Sequence, residues 1–342
     1  MMVVCGMLGW LMSGCSGSES KAGGSTNAAS GQSAKLTLVS YAVTKKAYEQ
    51  IIPKFVADWK AKTGQDVTFE QSYGGSGSQT RAVIDGLEAD VVQLALAGDV
   101  KKIEKAQLIQ PGWEKETPND SIVTRSVVAL VTRPGQPKFE KWSDLGNGQL
   151  KVITANPKTS GGAKWNFLAL WSGVAQTGGT EAQATTFLEK VFKNVPVLPK
   201  DAREASDVFY KQGQGDVLIN YENEVLLAKQ QGDTQPFAVP TDVNISIDAP
   251  VAVVDTNVDK HGTRKVAEAF AQYLFAPDAQ REFAKVGFRP VDPTVAKEVE
   301  AQFPKVKKPV TVKDLGGWSK INAQFFDDGA TFDRIQSKVA KS

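Results

Sequence analysis

Apolar and polar residues alternate along "KLTLVSY" (Lys35–Tyr41), the pattern of a strand with one face buried. The period then changes. Tyr48, Ile51, Ile52, Phe55, Val56 and Trp59 recur at helical spacing, and Gly64 follows as a C-terminal cap. "DVTFEQSY" predicts a second strand, "GGSGSQTRAVIDGLEA" a glycine turn and helix, and "DVVQLALA" a buried strand. Strand and helix patterns keep alternating in this way, which predicts an α/β architecture with largely parallel sheets.

Two segments break the rhythm. "SIVTRSVVALVTRPG" and "NISIDAPVAVVDTN" are longer and richer in β-branched residues than the other strands, and they predict strands that run between two lobes. Between them lie about 120 residues with their own strand patterns ("KVITAN", "DVLINY", "PFAVP") and helices, enough for a separate core. From "HGTRKVAEAFAQYLF" to "FDRIQSKVA" the pattern is mostly amphipathic helix. The expected division is therefore a discontinuous first lobe, 36–120 plus 248–342, and a second lobe, 121–247, inserted into it. No internal repeat and no low-complexity tract follows Lys35.

The 342 residues suffice for roughly two domains of ordinary size. A net charge of +2 supplies no basic field for nucleic acid or a membrane surface, so any electrostatic selection has to be local. Both cysteines, Cys5 and Cys15, fall in the first 15 residues, leaving the rest of the chain without a disulfide framework, a catalytic thiolate or a thiolate metal ligand. "MVVCGMLGWLMSGC" is an apolar run ending in small residues and a cysteine, and a Gly/Ser-rich stretch follows it. It resembles a bacterial lipoprotein signal, with 1–15 as the signal segment, Cys15 as the lipidated residue and 16–35 as a flexible tether. The resemblance implies export to the periplasm and tethering to the membrane. Met12 stands where such signals usually carry Leu, and no Lys or Arg precedes the apolar run, so the true start is expected upstream. No later stretch reaches roughly 18 uninterrupted apolar residues, the length of a membrane span.

The candidate chemistry lies in glycine-rich turns where strands give way to helices. "KTSGGAK" (Lys158–Lys164) stands between the strand "KVITAN" and the helical run "AKWNFLALW", and "YGGSGSQ" (Tyr73–Gln79) occupies the corresponding place in the first lobe. Such a turn leaves backbone N–H groups pointing at one spot, where the helix dipole adds partial positive charge. That spot favours an anion. Enzyme readings fare worse on the same letters. "GGSGS" nearly matches the nucleophile elbow of an α/β serine hydrolase, but Ser78 replaces its last glycine, and a triad on Ser76 has only His261 to draw on. Neither turn ends in the Gly-Lys-Ser/Thr of a nucleotide-binding loop. One histidine and two N-terminal cysteines leave only carboxylates for a metal, and "FFDDGATFD" predicts a helix-ending acidic turn rather than a calcium loop. No metal and no cofactor are expected.

"QSYGGSGSQ", "NPKTSGGAKWNFLALW", "FKNVPVL" followed by "DAR", "GDVLINYENE" and "GGWSKINAQFF" resemble, in order and spacing, the motifs of the periplasmic sulfate-binding proteins of ABC transporters. The similarity runs from about Leu36 to Ile335. It implies a two-lobed type II periplasmic binding protein fold, each lobe a central sheet flanked by helices and hinged by crossover strands. It implies a monomer without enzymatic activity that hands sulfate to the permease subunits of an importer. Carried over by motif, the backbone N–H groups of Ala42, Ser76, Gly161, Gly162 and Ala202 and the hydroxyl of Ser160 would hold sulfate with no Lys or Arg to neutralise it. At Ala42 the family usually has an aspartate, but the backbone donor survives the change. At Tyr221 it has a tryptophan, whose indole only donates, whereas a phenol donates or accepts. Sulfate carries no proton near neutral pH, so an all-donor pocket rejects protonated phosphate by leaving its O–H unpaired. Tyr221 therefore keeps thiosulfate, molybdate and phosphate open as alternatives to sulfate.

Overall fold

The computed structural model describes residues 33–136, 139–146 and 150–341. The expected signal, Cys15 and nearly all of the tether lie outside the described residues. Twelve strands form three sheets. β1 (Ala34–Tyr41), β2 (Val67–Gly74), β3 (Val91–Gln93), β4 (Ile122–Ser126), β5 (Val128–Thr132) and β6 (Val152–Ile153) come first in the chain. β7 (Val217–Tyr221), β8 (Phe237–Ala238), β9 (Val243–Ile245), β10 (Ile247–Val253), β11 (Arg289–Pro290) and β12 (Lys308–Val310) complete the set. A six-stranded sheet runs β11-β4-β10-β3-β1-β2, a four-stranded sheet runs β6-β7-β5-β8, and β12 pairs with β9. These sheets, with their helices, make the two lobes.

Within the first sheet β1 pairs in parallel with β2 and β3, as the alternating strand and helix patterns require. β10 pairs antiparallel with both β3 and β4, because β10 returns from the other lobe whereas β4 leaves for it. The segment "SIVTRSVVALVTRPG" is thus two strands, with β4 in the first sheet, β5 in the second and Val127 between them. The return passage lies at Ser246, between β9 and β10. The strand expected over "DVVQLALA" is paired only at Val91–Gln93. Beyond it the Ala95 N–H and carbonyl leave the ladder and bond instead to Ser76 Oγ and Trp165 Nε1.

The helices that matter to the cavity follow strand ends. α1 (Lys45–Thr63) buries Tyr48, Ile51, Ile52, Phe55 and Trp59 on one face and stops at Gly64, whose φ of 76° suits a residue without Cβ. α2 (Ser76–Ile84) follows β2, and α3 (Ala97–Lys105) follows β3. In the second lobe α4 (Gly161–Ala175) is apolar on nearly every face and is accordingly buried through most of its length. α5 (Glu181–Lys193) packs on it behind a capping box at Thr180 and Gln183. α6 (Ala202–Tyr210) precedes β7, and α7 (Glu222–Gln230) follows it.

The C-terminal segment departs from the expected division, which placed it in the first lobe. Phe325, Phe326 and Phe332 pack their rings around Phe167 of α4 at 5.3 to 6.2 Å between centroids. Phe192 of α5 closes the cluster. Amphipathic periodicity says only that a face needs a partner, and the partner here is α4, which is apolar on nearly every face. Phe167→Ala empties the centre of this cluster, so it should cost about 3–5 kcal/mol of stability. Chemical denaturation checks it, with a midpoint shift at constant slope expected.

Candidate functional site

Tyr41, Gly74 and Tyr221 end strands β1, β2 and β7, and each strand end delivers the chain into a helical first turn at the cleft between the lobes. Ala42 opens a short 3₁₀ turn, Ser76 opens α2, Gly161 and Gly162 open α4, and Ala202 opens α6. First-turn N–H groups have no acceptor inside their own helix. These five make no other backbone hydrogen bond among the described residues. All of them line one cavity, together with Ser160 and Tyr221. The structure thus brings together the seven residues that sequence comparison of motifs singled out for ligand binding. With a volume of about 10 Å³, the cavity falls far below the roughly 300–1,000 Å³ of pockets for drug-sized molecules. Its size suits a small ion.

Each donor is held in place by its neighbours. Ser160 is the N-cap of α4: its Oγ accepts the Ala163 N–H at 3.2 Å, which leaves the hydroxyl proton free to turn into the cavity. Ser76 behaves differently. Its hydroxyl donates to the buried carboxylate of Asp99 at 2.7 Å and accepts the Ala95 N–H at 3.1 Å. Only its backbone N–H remains for a ligand. Asp201 caps α6 by accepting the Glu204 N–H at 2.9 Å, and Asn220 grips the Ala202 carbonyl at 2.8 Å, so that first turn is fixed from both ends.

Tyr221 is buried, lies 6.2 Å from the ring of Tyr41, and its hydroxyl has no hydrogen-bond partner among the described residues. Burial pushes its ionisation well above the ordinary tyrosine range, with the nearby Tyr41 and Glu224 adding to the effect. A buried hydroxyl without a partner is costly, and a ligand in the cavity would relieve that cost. Gly162 makes room for the ring: a Cβ there would come within 2.7 Å of Tyr221 Cε2.

No Lys, Arg or His lines the cavity. Lys164, three residues into α4 from Gly161, is turned toward Asn322 Oδ1 at 3.5 Å and the Phe326 ring, and burial lowers its pKa to about 8. Charged side chains on α3, α6 and α7 engage one another. Arg203 meets Glu224 through two bonds of 2.6 and 2.9 Å, and Lys102 reaches Asp99 at 3.2 Å. What faces the interior is a field of backbone dipoles at helix N-termini, which stabilises negative charge. Among the described residues no group of three or more His, Cys, Asp or Glu is placed to hold a metal ion.

Asp99 and Gly75 escaped the sequence reading. Nothing in "LALAGDVKKI" marks Asp99 as the acceptor for Ser76, since the contact is made by the tertiary fold. Asp201 had a signal that could have been used, the Asp-x-x-Glu spacing of a capped helix start.

Residues 36–289 match the model of a family described as bacterial extracellular solute-binding protein. The chain belongs to that family. A sulfate-binding protein from Synechocystis is 65% identical over 309 residues, 90% of this chain and 88% of the relative. A thiosulfate-binding protein from Pseudomonas aeruginosa is 37% identical over 302 residues, 87% of this chain and 91% of the relative. Among solved structures, the sulfate-binding protein SubI from Mycobacterium tuberculosis superposes with a TM-score of 0.79 at 36% identity, covering 86% of this chain and 100% of that one.

In this solute-binding protein the hydrolase reading fails on geometry. His261 is partly buried and bridges two carboxylates, Glu88 at 3.0 Å and Asp90 at 2.9 Å, in a pocket apart from the cavity. Ser76 gives its proton to Asp99. The hydrogen bonds that the imidazole makes to Glu88 and then Asp90 hold its pKa above the ordinary value. The sign follows from linkage: a folded-state pKa raised above the unfolded one adds stability below the unfolded value, about 6.5, which is lost as pH rises through the folded value. The stability advantage of wild type over His261→Gln should therefore be full in mild acid and shrink above neutrality. Thermal melts across pH 5 to 9 check this, and a pH-independent difference would show that the imidazole acts by packing alone.

Proposed function

We propose that this chain is the solute-binding component of an ABC importer and carries sulfate in the cavity between its lobes. The observation that carries the reading is the convergence of unpaired first-turn N–H groups, from both lobes, on a small cavity with no cationic side chain. The names borne by these relatives, sulfate-binding and thiosulfate-binding proteins, point the same way. In this reading Ala42, Ser76, Gly161, Gly162 and Ala202 donate through the backbone, Ser160 through its hydroxyl and Tyr221 through its phenol.

The energies are sufficient. A hydrogen bond to a charged group contributes about 1.5–3 kcal/mol net, and a helix N-terminus adds about 0.3–2. These contributions are not additive, but a micromolar dissociation constant needs only about 8 kcal/mol in all. Nothing in the cavity activates water or a nucleophile.

The first lobe is taken to comprise 33–126 and 247–307, and the second 127–246 and 308–341, following the sheets and the aromatic cluster. The protein works in the periplasm as a monomer, tethered through lipidated Cys15 and its Gly/Ser-rich linker. The permease reads the relative position of the lobes, which differs between loaded and empty protein. Thiosulfate is the second reading, favoured by one feature: the Tyr221 hydroxyl can accept as well as donate, so the cage is not confined to donors.

Calorimetric titration with sulfate, in competition with thiosulfate, molybdate and phosphate, separates these readings. Sulfate is expected to bind most tightly, and preference for another anion reassigns the ligand. Ser160→Ala should weaken sulfate binding about 10- to 100-fold, the loss of one charge-assisted hydrogen bond. Tyr221→Phe should weaken it in the same direction while Tyr221→Trp preserves it. Equal affinities across the three residues at 221 would make the phenol structural.

A further inference from the structure

The lobes meet backbone to backbone beside the cavity, and glycine makes this possible. Gly75 caps α2 with φ −60° and ψ 134°, values open to any residue, so its own conformation does not require glycine. A Cβ on Gly75 would nevertheless lie 2.5 Å from the Thr159 carbonyl oxygen, 3.0 Å from the Lys200 carbonyl oxygen and 3.2 Å from the Thr159 carbonyl carbon. All three atoms are main chain of the second lobe. Gly161 mirrors the arrangement, since a Cβ there would lie 2.7 Å from Ala95 Cβ and 3.1 Å from Leu96 Cγ and Ser76 Cβ, all in the first lobe.

The atom that a Cβ on Gly75 would strike is also the acceptor that joins the lobes. The Gly77 and Ser78 N–H groups, the next donors of α2, reach the Thr159 carbonyl at 3.1 and 3.3 Å. The first turn of α2 therefore divides its free donors, with Ser76 facing the cavity and Gly77 and Ser78 facing the opposite lobe. Arg81 adds a bond from its Nη1 to the Lys158 carbonyl at 3.3 Å. The carbonyl cannot easily retreat. Thr159 Oγ1 is tied to the Lys200 carbonyl at 2.7 Å, and the N–H groups of Thr159 and Ser160 are tied to the Asn156 carbonyl at 3.1 and 2.8 Å.

We propose that Gly75 is a positioning residue for ligand capture: its missing side chain lets the Thr159 carbonyl latch onto the free N–H groups of α2 and so closes the lobes over the anion. The inference rests on the proposed binding of an oxyanion between the lobes. When the lobes are apart, a methyl group at position 75 meets none of these second-lobe atoms. The substitution acts on the closed state alone, and affinity falls by the fraction of molecules still able to close.

The test compares wild type and Gly75→Ala by calorimetry and small-angle scattering with sulfate, alongside thermal melts without it. Wild type should bind sulfate and contract on binding. Gly75→Ala should keep the unliganded melting temperature, lose at least about 30-fold in affinity, as a competent fraction of a few per cent requires, and fail to contract. Gly77→Ala, whose Cβ would stand 3.2 Å from the same oxygen, should lose less in the same direction; it carries the test if Gly75→Ala does not fold. Wild-type affinity and contraction in Gly75→Ala would overturn the latch while leaving the anion reading intact. An unliganded melting temperature lowered in both variants would overturn it too, as a structural role. A wild type that responds to none of sulfate, thiosulfate, molybdate or phosphate would overturn the anion reading and the latch together.

Discussion

A backbone N–H at the start of a helix has nothing in its own helix to accept it, and it must find a partner or bear the cost of burial. In this molecule four such first turns, from both lobes, are aimed at one cavity, and most of the surrounding structure follows from that requirement. A first turn points at the cleft only if the chain before it ends there, and β1 and β2 end side by side, with Tyr41 opposite Gly74. The turns must also approach one another closely, which accounts for the small residues at 75, 161 and 162.

Asp201 lines this cage with its carboxylate committed to capping α6, and the other charges nearby are arranged around it. Asp99, Glu224 and Lys164 are all buried near the cleft, and each is engaged by a neighbour on its own side: Lys102 and Ser76, Arg203 and Ser206, Asn322 and the Phe326 ring. A free cation in the cavity would attract any anion. Fixed dipoles of limited number discriminate by shape and by the count of protons on the ligand, because an unmatched O–H or an unused donor is penalised. The Tyr221 hydroxyl is where this logic relaxes, since it can serve an acceptor or a donor.

The two lobes are joined in ways that allow them to differ in mobility. Main-chain passages at Val127 and Ser246 are adjacent through β4 and β10, while the C-terminal segment returns to the second lobe and buries its phenylalanines against α4. Contact across the cleft includes hydrogen bonds, with Thr159 meeting α2 and Trp165 Nε1 meeting the Ala95 carbonyl at 2.9 Å, beside the apolar approach of the Tyr41 and Tyr221 rings. Such bonds form and break without disturbing either core. A hinge-type motion has few obstacles here.

Much of this was legible in the letters. Periodicity marked β1, α1 and its Gly64 cap, and the glycine turns at Tyr73–Gln79 and Lys158–Lys164 announced donors before any coordinate was known, because capping and glycine chemistry are local. Motif resemblance added Ala42, Ala202 and Tyr221. Three things were decided by the tertiary structure alone. "SIVTRSVVALVTRPG" divides at Val127 because two different sheets offer it partners. The helices at the chain end choose α4, since amphipathicity names a face but not its mate. The hydroxyl of Ser76 is committed to Asp99, and Gly75 faces the Thr159 carbonyl, through contacts between residues distant in sequence. Local backbone preference is written residue by residue, whereas the pairing of surfaces depends on which distant segments arrive at the same place.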